Sequence, residues 1–482
     1  MIDQIVTIIA AGVIAAASPT PMPHNPAATM SSLPTIESAE ALPYPASGTP
    51  QPQIVARKTV ASVATRLTLD QAVAIAMDRV PALAAARASL ASAYATVQLQ
   101  KTGLAPSISA DVSSTGYLSQ SGNVTSSSSS VQAVSAGPFS ISNSLDLTLS
   151  QLIYDGGRVR AQIESATASR NAAASTYRRD AQTVAYNVAS AFYTLLSDQR
   201  TVAVDAALVT ENEVSEELVR AQIRAGTTAG VDLIAQQATT ANARTALVSA
   251  QGAAQTARVT FATSLGLPAD TDVTPNDDST GLETTGPALT LPGYDDALKS
   301  ALAQRGDLIN QAYQIDAASA SLRAERLGFS PTVSLGATKT LASTGRLGDA
   351  YRNSASIGLS LSIPIFDQGA TKANVALAKA SLDLSKAGAA TVRAMVESDV
   401  RNAMISLVSD RSTLDQARAA YASAQASLAA TQGQYRLGIT TLPALVTAES
   451  SLAVAATGLV TGIYTFRLAQ ANLRYALGTN LQ

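Results

Sequence analysis

Side chains able to run a reaction are few in this chain, and their spacing is poor for chemistry. The one histidine, His24, lies in the proline-rich tract SPTPMPHNP, with nothing beside it to complete a catalytic triad or a metal site. Cysteine is absent, so no disulfide, thiolate metal site or cysteine nucleophile can form. One candidate remains, the turn YDGGR from Tyr154 to Arg158, which follows the alternating run Leu145–Ile153 and precedes an alanine-rich stretch. Strand, glycine turn and helix start are the layout of a phosphate-binding loop. Such a loop needs Lys and then Ser or Thr after its glycines, and here Arg158 and Val159 follow. No cofactor and no metal is implied, and a protein that is not an enzyme is expected.

Composition bounds what could lie behind so little chemistry. Of 482 residues, 46% are apolar and 14% charged, and 33 Lys+Arg against 35 Asp+Glu leave a net charge of -2. That balance argues against nucleic-acid binding and against a polybasic membrane contact. Aromatics make up 4% and tryptophan is absent, so small residues must do the packing, in close helix–helix contacts. The apolar run Ile5–Ala17 is too short to span a bilayer and suits a signal peptide over residues 1–17, although Asp3 stands where a basic residue is usual. Residues 18–66, rich in Pro, Ser, Thr and Ala, read as a disordered linker, and residues 267–292 as a second one.

The glycine turn has an echo. FDQG at Phe366 repeats the aromatic, the acid and the second glycine of YDGG, 212 positions on (366 − 154). RAGTT at Arg224 and RLGITT at Arg436 keep that spacing, as do the Leu-Gly pairs at Leu265 and Leu477. Upstream, GLAPSIS at Gly103 answers GFSPTVS at Gly328, and LDQAVAIAM at Leu69 answers YDDALKSAL at Tyr294, both 225 apart (328 − 103). The mismatch of 13 (225 − 212) places an insertion around the serine run Ser126–Ser130. Collinear anchors at one spacing indicate an internal duplication, 67–266 and 293–482.

Each half then predicts the same order of helix, two strands, very long helix and helix. The opening helix runs from about Thr68 to Gly103, with Thr68 or Asp70 able to cap it. After Pro106, Ile108, Ala110 and Val112 alternate with Ser107, Ser109 and Asp111; the partner strand alternates Leu145, Leu147 and Leu149 with Ser144, Asp146 and Thr148. Val333, Leu335 and Ala337, then Ile357, Leu359, Leu361, Ile363 and Ile365, mark the second pair. Each run has about the ten residues of a tilted membrane-spanning strand. From Arg158 to Arg224 there is neither proline nor glycine, enough for roughly 100 Å of continuous helix. Gly369 to Leu437 repeats it with Gly388 in its interior and Gly433 near its end, and such lengths belong to coiled-coil rods.

Four strands could cap a helical bundle in water. In a bilayer an open four-stranded sheet cannot stand, because its edges leave backbone groups unsatisfied, so copies would have to join, two giving eight strands and three giving twelve. A structural periplasmic coiled-coil protein, such as an adaptor, is the competing class.

With these residues in place the chain, from about Leu67 onward, resembles the TolC family of outer-membrane efflux and secretion channels. The resemblance rests on the duplication, the strand entries APSIS and SPTVS, the aromatic-Asp-x-Gly turns, the RAGTT and RLGITT runs before each final helix, and the closing Leu-Gly. It implies an α+β membrane protein in which four strands per chain join a trimeric 12-stranded β-barrel in the outer membrane, above a long α-helical coiled-coil tunnel in the periplasm. It implies a homotrimer in outer-membrane lipid, serving as the passive exit duct of a tripartite efflux pump or type I secretion system. Its partners would be a periplasmic adaptor (membrane fusion protein) and an inner-membrane RND or ABC transporter, with small molecules or polypeptides as cargo.

The resemblance also implies site residues. Asp232, six after Gly226, and Tyr435, three before Gly438, match a pair that holds the periplasmic end closed. Thr440 stands where the family's best-known members carry an arginine, and Ala444 and Thr447 where acids are expected, which puts an acidic ring there in doubt. Asp232 could equally be a first-turn acid favoured by the helix dipole, and Tyr435 a packing residue. At the other end Tyr154, Asp155, Gly157, Phe366, Asp367 and Gly369 would form the strand–helix junctions: aromatics at the membrane interface, acids capping the incoming helix, glycines easing the bend.

Overall fold

In the computed structural model, residues 65–120, 136–226, 229–276, 293–344 and 352–479 are described. The expected signal peptide, His24, the serine run 126–130, and most of the segments 18–66 and 267–292 lie outside them. The opening helix expected over Thr68–Gly103 is two helices, α1 (Leu69–Arg79) and α2 (Pro81–Thr102). Thr68 caps α1 in a reciprocal capping box with Gln71. Pro81 makes the break: the residue before a proline is driven out of the helical region, and Val80 sits at φ -68, ψ 122. Ahead of α1, the three-residue strand β1 (Thr65–Leu67) pairs in parallel with β4 (Val273–Pro275), a sheet too short to leave a sequence signature.

The four expected strand runs form one antiparallel sheet in the order β2 (Ser107–Gln120), β3 (Ala136–Tyr154), β5 (Thr332–Thr344), β6 (Arg352–Ser362). β3 spans 19 residues and β2 14, longer than the ten expected, while β6 stops at Ser362, short of Ile363 and Ile365. Register sorts the faces. Val112 opposes Leu145, which opposes Leu341; Leu149 opposes Ala337, which opposes Ile357. On the reverse face Ser113 meets Ser144 and Asp146 meets Thr340. Since side chains alternate across a strand, one face is mainly apolar, interrupted by Lys339 opposite Leu147 and Gln151 opposite Leu335, and the other is hydroxyl-rich. The apolar face is uncovered: Ile108 is 71% exposed, Ile357 76% and Leu359 70%.

Out of the sheet run two helices of equal length, α3 (Arg158–Arg224, 67 residues) and α7 (Ala370–Arg436, 67 residues). Each turns back into a shorter partner, α4 (Gly230–Ser264) and α8 (Leu442–Leu477), and packs along it. The second half opens with α5 (Tyr294–Gln304) and α6 (Gly306–Arg326), separated by Arg305, which has the extended conformation of Val80 without a proline to impose it. α3 is the spine, touching α1, α2, α4, α6 and α8. The largest apolar cluster lies where α1, α4, α8 and the small sheet meet it, around Leu67, Val188, Phe192, Leu195, Phe261 and Leu265.

Candidate functional site

Two ends of the rod carry the residues singled out by sequence. At the sheet end the backbone turns from strand to helix in four residues. Asp155 Oδ1 accepts from the Gly157 N–H at 2.9 Å and Oδ2 from Val159 N–H at 2.6 Å. Asp367 does the same with Gly369 at 3.0 Å and Thr371 at 2.7 Å. Both carboxylates thereby satisfy amides that the first helical turn leaves open, and both face the positive end of a 67-residue helix. Gly157 (φ 91) and Gly369 (φ 87) are left-handed, and no atom stands within 4 Å of where a Cβ would be. Around the turns sit uncovered apolar side chains, Ile153, Tyr154, Phe329, Ile365 and Phe366, the last 82% exposed. An amide cradle for phosphate is not what this turn offers, since the acid of the turn itself occupies the amides.

At the far end the turns after α3 and α7 pack together. Val219 of α3, Leu428 and Tyr435 of α7, and Leu442, Leu445 and Ala448 of α8 form one buried cluster, with Leu233 of α4 against it. Tyr435 is 5% exposed and its ring is part of that cluster. Asp232 lies half-buried in the first turn of α4, and Thr440 half-buried in the turn before α8. All three are therefore at one end of the molecule, while Thr227 and Thr228 of the turn lie outside the described residues.

Beside the apolar cluster is a polar one that sequence reading missed. Glu449 of α8, Ser215 and Asn212 of α3, and Gln236 of α4 are all buried. Ser215 Oγ donates to Glu449 Oε1 at 2.5 Å, and Gln236 Nε2 donates to Glu449 Oε2 at 3.4 Å and to Asn212 Oδ1 at 3.4 Å. From α7, Gln432 donates to Glu211 of α3. Burial raises the Glu449 pKa first of all; the Ser215 and Gln236 hydrogen bonds oppose this, and the nearby Glu211 charge adds to it. The sequence did hold a signal. Glu449 stands four residues after Leu445 and three before Leu452, on the stripe that faces the neighbouring helices. Among the described residues no group of His, Cys, Asp or Glu could hold a metal ion.

The family model described as outer membrane efflux protein matches residues 72–267 and 297–479. The outer membrane efflux protein BepC of Brucella suis biovar 1 (strain 1330) is 24% identical over 330 residues, covering 67% of this chain and 70% of that protein. The outer membrane protein TolC of Salmonella enteritidis is 26% identical over 191 residues, 38% of this chain and 39% of its own length. Among solved structures, the outer-membrane channel OprN superposes with a TM-score of 0.73 at 22% identity, covering 86% of this chain and 90% of its own.

Proposed function

Because this chain belongs to the outer membrane efflux protein family and is an outer-membrane exit duct, we propose that three copies close into one channel with no catalytic step. The observation that carries this is the sheet. It has an uncovered apolar face, a hydroxyl-rich reverse face and two open edges, β2 and β6, and it continues directly into two 67-residue helices. Open edges cannot persist in hydrocarbon, and twelve strands from three copies would remove them, leaving the hydroxyl face toward a water-filled lumen. The uncovered side chains at the turns, Tyr154 and Phe366 among them, suit the boundary between membrane and water.

The helices carry uncovered apolar side chains as well, Leu377, Leu384 and Ile405 on α7 and Val248 and Val259 on α4, which a neighbouring copy would cover to make a tunnel wall. In this reading residues 67–266 and 293–482 are duplicated halves joined by 267–292, and residues 1–66 comprise an export signal and linker. A periplasmic adaptor and an inner-membrane transporter would feed the tunnel, and Asp232, Tyr435 and Thr440 would lie at its closed end. The competing adaptor reading leaves the apolar sheet face without a use. The test is membrane fractionation with unheated and heated SDS electrophoresis. A heat-modifiable oligomer in the outer-membrane fraction is expected; a monomer in the soluble periplasmic fraction would overturn the reading.

A further inference from the structure

Among the described residues, one carboxylate at the helical tip is buried without a cation. Glu449 is 3% exposed, and the hydrogen bonds it accepts come from two neutral donors, Ser215 on α3 at 2.5 Å and Gln236 on α4 at 3.4 Å. Gln236 is itself 0% exposed, and its Oε1 is buried with no donor. The charge that reaches Glu449 is that of Glu211 on α3, a like charge. Beside Glu449 lies the apolar cluster with the Tyr435 ring of α7 and Leu445 and Ala448 of its own helix, and the Gln432 amide of α7 donates to Glu211. A carboxylate held in this way is favoured when neutral, since burial penalises the ion and no positive group offsets the penalty. A proton on Glu449 would also be a donor in a cluster that contains an acceptor, Gln236 Oε1, lacking one.

The three helices tied here belong to different hairpins: α3 and α4 form one, and α8 is half of the other. We propose that Glu449 is a proton-sensitive clasp, locking the two hairpins together when neutral and favouring their separation when ionised. The proposal rests on the exit-duct reading. The sign follows from linkage. In the closed tip burial raises the Glu449 pKa, whereas in an opened tip, wetted, it would return toward the ordinary glutamate range. Protons then bind the closed tip more tightly. Closure is favoured as pH falls and loses that support as pH rises through the closed-state value. Each unit between the two pKa values shifts the closed-to-open ratio by up to about tenfold.

Other ionisable groups lie on the same helices. Asp205 and Asp198 on α3 are also raised by burial, and Glu211 and Tyr435 lie at the cluster, so the test compares variants at one position. Glu449→Gln keeps an acceptor for the Gln236 amide and meets Ser215 Oγ, which donates to the carboxylate in wild type, with an N–H instead, but cannot ionise. Glu449→Ala removes the clasp, takes away the acceptor of buried Ser215 and leaves Gln236 bonded to Asn212 alone. The purified full chain is placed in planar bilayers and its conductance recorded between about pH 5 and about pH 8. Wild type should conduct more as pH rises, Glu449→Gln should stay at the low level throughout, and Glu449→Ala at the high level. A Glu449→Gln variant that keeps the wild-type pH response, or a Glu449→Ala variant that stays closed, overturns the clasp. Amide exchange over residues 428–452, corrected for intrinsic rates, decides the matter without conductance. Protection should rise on acidification in wild type but not in Glu449→Gln; equal pH dependence in both overturns the clasp. A wild type that forms no channel overturns the exit-duct reading instead, with the exchange result still deciding on Glu449.

Discussion

Gly156 and Gln368 occupy matching places in the two strand–helix turns, and both have positive φ, 72 and 58. Gln368 is exposed at the second, whereas a Cβ on Gly156 would fall on the Cβ and Oγ of Ser330. This is why one turn reads YDGG and the other FDQG. Gly157→Ala and Gly369→Ala should each lower stability by about 1–2 kcal/mol through left-handed strain alone, and Gly156→Ala by more, since Ser330 must also move. Thermal unfolding of the three variants in detergent checks the order; equal losses would remove the steric account. At the tip, Asp232→Ala is expected to raise single-channel conductance with only a small loss of stability, because a first-turn acid contributes about 0.3–1 kcal/mol. Unchanged conductance would leave Asp232 a partner of the helix dipole. The turns were legible in the sequence because turn chemistry is local. Glu449 was not, since a glutamate followed by two serines reads as a solvated face until three helices are seen to bury it.

Among the elements, the long helices were legible for the opposite reason: length without Pro or Gly is itself the signal, and α3 and α7 end within a residue or two of the expected limits. The break between α1 and α2 was legible in Pro81 but reads through as one helix if hydrophobic pattern alone is followed. Its counterpart between α5 and α6 was not legible. Gly306 there would place a Cβ 2.7 Å from the Ser175 carbonyl oxygen, so close packing on α3 fixes the corner where no proline does. Of the two glycines inside α7, Gly388 and Gly433, the first has no such duty. A Cβ on Gly388 would meet only the mobile end of Gln311, at 3.4 Å. Gly388→Ala should therefore stabilise the helix by up to about 1 kcal/mol, seen as a raised Tm with unchanged conductance. A lowered Tm would mean that α7 needs flexibility at that point.

For the molecule as a whole, the number of copies was never legible, because two copies or three satisfy the edges of four strands equally well in principle. What the single chain does show is how the corner before α6 is tied to α7, with the contacts that join the two halves beside it. Arg305 is 2% exposed in the corner before α6, forked onto Asp307 at 2.6 and 3.1 Å and bonded to Asp399 of α7 at 2.8 Å. Beside it Arg179 of α3 stacks on Tyr475 of α8 and donates to its carbonyl, while Gln182 of α3 donates to the Gly478 carbonyl at 2.6 Å. Burial alone would raise the Asp307 pKa, but the hydrogen bonds and charge of Arg305, with Arg179 behind them, hold it below the usual carboxylate range. A depressed carboxylate contributes stability that is present above its unfolded pKa and lost as pH falls through the folded value. Wild type should accordingly lose stability below about pH 4. Arg305→Ala should cost about 2 kcal/mol at neutral pH, discounted because both aspartates are partly exposed, and should flatten the acid limb of the stability profile. Arg305→Lys keeps the charge without the fork and should fall between them. Denaturant unfolding in detergent across that pH range measures all three, and an Arg305→Ala profile parallel to wild type would mean that the corner is held on α7 by apolar packing alone.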